Sequence, residues 1–279
     1  FSFVKLINNN KNYGVGYSRN KALKIALGKY IVFLDSDDNL LENSLNSLEK
    51  FIKKNSDPDV IPVSYKKMTY PKNNNRFIED NFDKKKPNDL IKYVMKEKIP
   101  FSDCWFFVVK KNLLIKNNIC FPNSRFGESE IFVAKTICFM KNFATFQKNF
   151  YHKKDRINSL THSSDYITTY SVLNNLIEFN IFYYKIKFDK LRKRFLTGYI
   201  QGIFGVFIAL LLLQKKSEIK KLSKLLIKSE KNLKNLTKYP EKIDLKRFIK
   251  KYGAYNGIIK FRDLIKSLKI NKFKKLKIK

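Results

Sequence analysis

Acidic side chains are what this chain most lacks: 24 Asp and Glu stand against 58 Lys and Arg, a formal net charge of +34. An excess of that size points to an anionic partner, whether nucleic acid, an anionic membrane surface or a phosphorylated substrate, without choosing among them. Lys and Asn are favoured while Arg, Gly and Pro are sparse, a bias that codon drift in an AT-rich genome also produces, so charge alone does not establish a binding role. Cysteine is scarce as well. Cys104, Cys120 and Cys138 lie far apart, form no CxxC pair and are odd in number, which excludes a cysteine zinc site or a disulfide framework as the organising principle. The most apolar run, residues 203–213 between Gln201 and Lys215, falls short of the roughly 20 residues a bilayer span needs. It is expected to be a core helix of a bundle or a membrane-surface helix. No zinc spacing, RNP-like segment or helix-turn-helix pattern accompanies the basic charge, which argues against a nucleic-acid partner.

What is present is enough for a buried core, since 44% of the residues are apolar. The charge divides the chain: residues 181–279 hold 29 basic and 6 acidic side chains, a balance of +23. In the first part, apolar runs at 1–7, 30–34 and 60–65 read as strands, and amphipathic stretches at 18–27 and 45–52 read as helices, with Gly28 as a helix stop. That alternation predicts an α/β fold with a mostly parallel sheet and flanking helices. From about residue 163 the chain becomes apolar-periodic, with Pro240 its one proline, and predicts a basic helical region. The expected organisation is therefore a domain over 1–162 and a helical region over 163–279.

The chemistry concentrates in Gly14-Val15-Gly16-Tyr17-Ser18-Arg19-Asn20 and in Tyr30-Ile31-Val32-Phe33-Leu34-Asp35-Ser36-Asp37-Asp38. A buried strand that ends in three carboxylates places them where open α/β sheets bind ligands. Carboxylates crowded there repel one another unless a hard cation intervenes, and Mg²⁺ or Mn²⁺ commonly combines one or two carboxylates with phosphate oxygens. Read alone, the same acids serve equally as a helix N-terminus. Upstream, the glycines permit a tight turn, and Arg19 with Asn20 opens a helix whose N–H groups and guanidinium suit a nucleotide or its phosphates. The third glycine and the spacing of a dinucleotide fingerprint are missing.

Taken together, Asn12, Gly14, Arg19, Asn20, Leu23, Ala26, Gly28, Tyr30, Ile31, Phe33, Leu34, Asp35, Asp37 and Asp38 resemble the nucleotide-sugar half of a family 2 glycosyltransferase of the GT-A fold. Ser18 stands where alanine is usual. The resemblance implies that Asp35 contacts the nucleoside or ribose and that Asp37 ligates Mn²⁺ or Mg²⁺ bridging the diphosphate. A second segment, Trp105, Lys110-Lys111, Leu114, Ile119, Phe121 and then Gly127-Glu128-Ser129-Glu130-Ile131-Phe132, is similar to the family's acceptor side. Here the sequence departs from the pattern, because Ser129 occupies the place of the aspartate that usually acts as catalytic base. A serine hydroxyl cannot take a proton near neutral pH. Glu128 is the favoured replacement, with Glu130, or a chain impaired in transfer, as the alternatives. Both glutamates also suit a helix N-terminus on electrostatic grounds alone.

Further candidates rest on the same resemblance. Trp105 reads as a stacking wall for an acceptor sugar or as core. His152 reads as a third metal ligand or as a strand-end histidine. Arg156 and Ser159 match the family's Y-x-Y-x-x-R…S ending and would close the acceptor side and the diphosphate pocket, and His162 has no assigned role. The family's two opening strands, which supply much of the nucleoside pocket, are not matched, so the chain is expected to lack the front of its domain. The implied activity is inverting, metal-dependent transfer of a sugar from a nucleotide donor, UDP-linked by expectation, to a hydroxyl of a glycan or lipid-linked glycan. Surface polysaccharide or lipooligosaccharide assembly is the expected setting, at the cytoplasmic face, with the basic region against an anionic membrane surface. A catalytically silent scaffold and a basic nucleic-acid-binding protein are the rival readings.

Overall fold

The computed structural model describes residues 3–69, 72–76, 86–97, 103–154, 164–228, 251–252 and 255–263. The chain divides into two compact units, Phe1–His162 with Asp189–Phe195, and Ser163–Phe188 with Leu196–Lys279.

The first unit opens without a strand. Residues 3–7 carry no regular hydrogen bonding, and Phe3, Val4 and Leu6 are exposed, so the strand expected over 1–7 does not form among the described residues. Helix α1 (Val15–Ile25) comes next, then β1 (Tyr30–Ile31), β2 (Asn39–Leu40), α2 (Ser44–Lys54), β3 (Val60–Thr69) and β4 (Lys72–Arg76). After these come α3 (Pro87–Glu97), a short 3-10 turn (Cys104–Phe106), β5 (Phe107–Lys110), α4 (Lys111–Lys116), α5 (Glu128–Phe139) and β6 (Phe146–Lys154). The strands run in the order β1-β5-β3-β6-β2, with β4 paired to β3. The sheet is mixed rather than mostly parallel: β3 and β6 are parallel, while β1–β5, β3–β5, β2–β6 and β3–β4 are antiparallel. The run 30–34 is a strand only at Tyr30 and Ile31, because β1 lies at the edge of this order and residues 32–34 have no described strand beside them.

Packing explains how that short strand still holds its place. Phe33 is buried and meets Phe121 and Phe132 edge-on at 5.1 and 5.3 Å, while those two rings stack at 4.1 Å. Aromatic contacts of this kind add about 0.5–1.5 kcal/mol each beyond the area they bury. The segment leaving β1 is thereby anchored to the start of α5. Helix α2 packs on β6 through Phe51 and Phe146, 5.2 Å apart.

The second unit is helical: α6 (Tyr166–Lys185), most of α7 (Lys190–Leu211), α8 (Lys216–Lys228) and residues 255–263. Asp165 caps α6 by accepting from the Thr168 N–H at 2.7 Å. Its core includes Leu173, Leu176, Phe179, Ile203, Phe207, Ile219 and Phe261. The apolar run 203–213 belongs to a longer helix than its own length suggests. Because α7 reaches back to Lys190, it is long and apolar enough to cross a membrane by length and composition, with 44% of its apolar window buried inside the protein.

Candidate active site

Helix α1 is seated by its glycines. Gly14 sits at φ +90°, and a Cβ on Gly16 would lie 2.6 Å from the Pro122 carbonyl oxygen, so only glycine lets the helix approach the stretch of chain leading into α5. Asn20 seals the same seam: its amide donates to the Phe121 carbonyl at 2.8 Å, and its oxygen accepts from the Phe121 N–H at 2.9 Å. Two residues expected at the nucleotide, Gly14 and Asn20, thus act on the packing of α1.

Arg19 faces the other way, into a group of acids. One guanidinium nitrogen donates to Asp35 at 2.6 Å, and the other donates to Glu128 at 2.8 Å and to the Ser129 hydroxyl at 3.1 Å. This fork joins the end of the β1 segment to the head of α5. Glu128 is buried, also accepts from Ser129 at 3.2 Å, and holds its proton more tightly because of that burial. Its carboxylate is therefore taken up by Arg19 and Ser129. Glu130 has no hydrogen bond or ion pair among the described residues. Burial, then the charges of Asp103 and Glu128, push it up to about 7, a value that suits a general base near neutral pH.

The acids after β1 form a turn closed by the Asp38 N–H donating to the Asp35 carbonyl at 3.0 Å, with Ser36 and Asp37 at its centre. Asp38 is buried, with one oxygen accepting from the Tyr151 hydroxyl at 2.7 Å and the other from the Lys154 N–H at 2.8 Å. Asp35 and Asp37 are half-buried.

Two expected partners do not join these acids. Successive strand residues point to opposite faces, and Tyr151 points toward Asp35 and Asp38, so His152 faces away from them, its Nε2 buried without a hydrogen bond. Trp105 is 4% exposed, stacks on Tyr151 at 4.6 Å and has the Lys153 ammonium 5.1 Å from its ring centre, which places it among packed rings rather than on an open wall. Arg156, Ser159 and His162 lie outside the described residues. Asp103, not singled out from sequence, stands 3.9 Å from Lys153, and burial raises its proton affinity. The neighbouring Cys104 thiol meets the Ser129 hydroxyl at 3.6 Å. Only the alternation of Tyr151 with His152 and the acid just before Cys104 signalled this part of the site in the sequence.

Among the described residues no three His, Cys, Asp or Glu side chains converge as a metal cage. Asp35 and Asp37 are two carboxylates at one turn, which suits a hard cation that completes its shell from diphosphate oxygens and water rather than from protein alone.

The fold of this chain, a mixed sheet with flanking helices, is matched among solved structures. It is shared with the crystal structure of S. aureus TarS 1-349 in complex with UDP-GlcNAc, at TM-score 0.63 and 19% identity over 93% of this chain and 73% of that one. The complex of the same protein with UDP aligns at TM-score 0.62 and 17% identity, over 92% and 72%. Residues 1–117 match the family model described as Glycosyl transferase family 2. A 58-residue stretch is 45% identical to "Uncharacterized glycosyltransferase MJ1057" of Methanocaldococcus jannaschii, covering 21% of this chain and 20% of that protein. The chain thus aligns with about a fifth of that curated relative's length.

Proposed function

We propose that this chain transfers a sugar from a nucleoside diphosphate donor, UDP-linked by preference, to a hydroxyl of a glycan or lipid-linked glycan, with inversion at the anomeric carbon. The observation that carries the reading is the Arg19 fork, which ties the donor-side acid Asp35 to the Glu128-Ser129-Glu130 corner at 2.6 and 2.8 Å. Donor and acceptor chemistry then meet across one guanidinium, as a direct displacement requires. Asp35 and Asp37 would hold Mn²⁺ or Mg²⁺, which when bound supplies neutralising charge to the departing diphosphate. Glu130 removes the proton from the attacking hydroxyl, and Glu128 keeps Arg19 oriented.

The test is sugar transfer or donor hydrolysis by the full chain with a panel of UDP-sugars, alongside Asp37→Ala. Full activity in that variant would overturn the reading. A second reading, a donor-binding scaffold without transfer, is favoured by Ser129 at the family's base position. It predicts UDP binding with no turnover of any donor. The basic region 181–279 we assign to an anionic membrane surface on the strength of its +23 balance, each basic residue near such a surface contributing about 1 kcal/mol. Surface polysaccharide assembly at the cytoplasmic face is the setting this implies.

A further inference from the structure

We propose that Tyr151 is a positioning residue for the donor: its hydroxyl fixes both ends of the acid turn and so places Asp37. This rests on the reading that Asp35 and Asp37 face the diphosphate. The hydroxyl accepts from the Asp35 N–H at 3.1 Å and donates to the Asp38 carboxylate at 2.7 Å, so a single oxygen touches the first and last residues of the turn. Asp37 lies between those fixed points. The second Asp38 oxygen is held by the Lys154 N–H at 2.8 Å, and β2 pairs Asn39 with His152, so the turn is fastened along the end of β6.

The tyrosine itself has little freedom. It is fully buried, and its ring lies flat on Trp105, 4.6 Å away and 21° from parallel. Ring packing therefore sets where the hydroxyl sits, and a short bond from a neutral hydroxyl to a carboxylate is among the stronger hydrogen bonds a protein makes. Trp105 takes the core place that was one of its two sequence readings. It braces the residue that shapes the donor turn, and Lys153 lies over its ring.

The experiment is calorimetric titration of the full chain with UDP, with and without Mn²⁺, for the parent, Tyr151→Phe, Trp105→Leu and Asp37→Ala. Tyr151→Phe keeps the ring and removes one oxygen. It is expected to weaken UDP·Mn²⁺ binding about tenfold at unchanged stoichiometry, the worth of roughly one charge-assisted hydrogen bond. Trp105→Leu should weaken it in the same direction by unseating a hydroxyl that is still present. A purely structural role would lower the stoichiometry, through misfolded protein, and leave the dissociation constant of the remainder unchanged; that result overturns the proposal. If Asp37→Ala loses affinity but Tyr151→Phe does not, the positioning role alone fails. If Asp37→Ala binds as the parent does, the donor-site reading fails and the proposal with it.

Discussion

Glu130→Gln is the perturbation in which the chemistry and the stability of this site part company. Glu130 carries no counter-cation among the described residues, and burial together with Asp103 and Glu128 raises it to about 7. As the base for an acceptor hydroxyl it is half ionised at neutral pH, so kcat/KM should fall about tenfold per pH unit on the acid side of that value. The Gln variant should lose about 10²–10⁴-fold in transfer and with it the acid limb. Stability runs the opposite way. The folded protein keeps this proton up to about 7, whereas the unfolded chain releases it near pH 4. The stability held below pH 4 is thus lost as pH rises through 7. The full span would be about 3 kcal/mol, and because Glu130 is partly open to solvent about 1–2 kcal/mol is expected. Glu130→Gln should therefore melt higher than the parent at pH 8 and at the same temperature at pH 4, measured by circular dichroism beside a coupled UDP-release assay. A variant that kept its acid limb and showed no pH-dependent gain in melting temperature would refute both halves of the reasoning.

Arg19→Met should destabilise the first unit by about 3 kcal/mol in urea titration, because it strands Asp35 and Glu128, whose side chains are 34% and 9% exposed. Arg19→Lys should recover little, since one ammonium cannot span the two acids as the fork does. Gly16→Ala should cost about 1–3 kcal/mol in the same assay, as its methyl would meet a backbone oxygen at 2.6 Å. Ser129→Asp is expected to leave the transfer rate within about threefold, because on the proposed reading Glu130 supplies the base and Arg19 would draw in the new carboxylate. A hundredfold rise would instead mark the parent as an impaired transferase. Sedimentation with vesicles rich in phosphatidylserine should capture the chain at low salt and release it as ionic strength passes about 0.15 M, where charges beyond about 8 Å are screened; equal binding to neutral vesicles would remove the membrane assignment.

Local motifs made the donor side legible. Asp35-Ser36-Asp37-Asp38 lies within four residues, and the helix after Gly14 announces itself by its glycines and by the spacing of Leu23 and Ala26. What stayed hidden depends on contacts between distant parts of the chain. Arg19 meets Glu128 across 109 positions, and Tyr151 meets Asp38 across 113. No periodicity reports such pairings, and for that reason Asn20 read as part of the nucleotide-sugar site although it braces Phe121, while the core reading of Trp105 fits its packing on Tyr151. The sheet was misread for a related reason. Short apolar runs alternating with helices do not distinguish parallel from antiparallel neighbours, and β5, entered through the Cys104–Phe106 turn, lies antiparallel to both β1 and β3. The charge division near residue 181 required only composition, and the helices described over 166–228 were legible in the apolar spacing of that region.

The acids gathered around Arg19 form a small negative enclave in a chain of net charge +34. On the proposed donor reading, a diphosphate anion approaching from bulk solution would be drawn in by the wide cationic field and then meet repulsion over its last few ångströms. Arrival would be fast and sensitive to ionic strength, and residence would depend on the positive charge that travels in with the ligand. On the proposed reading, such a site would fill readily, empty readily and retain an anion that brings its own counter-ion.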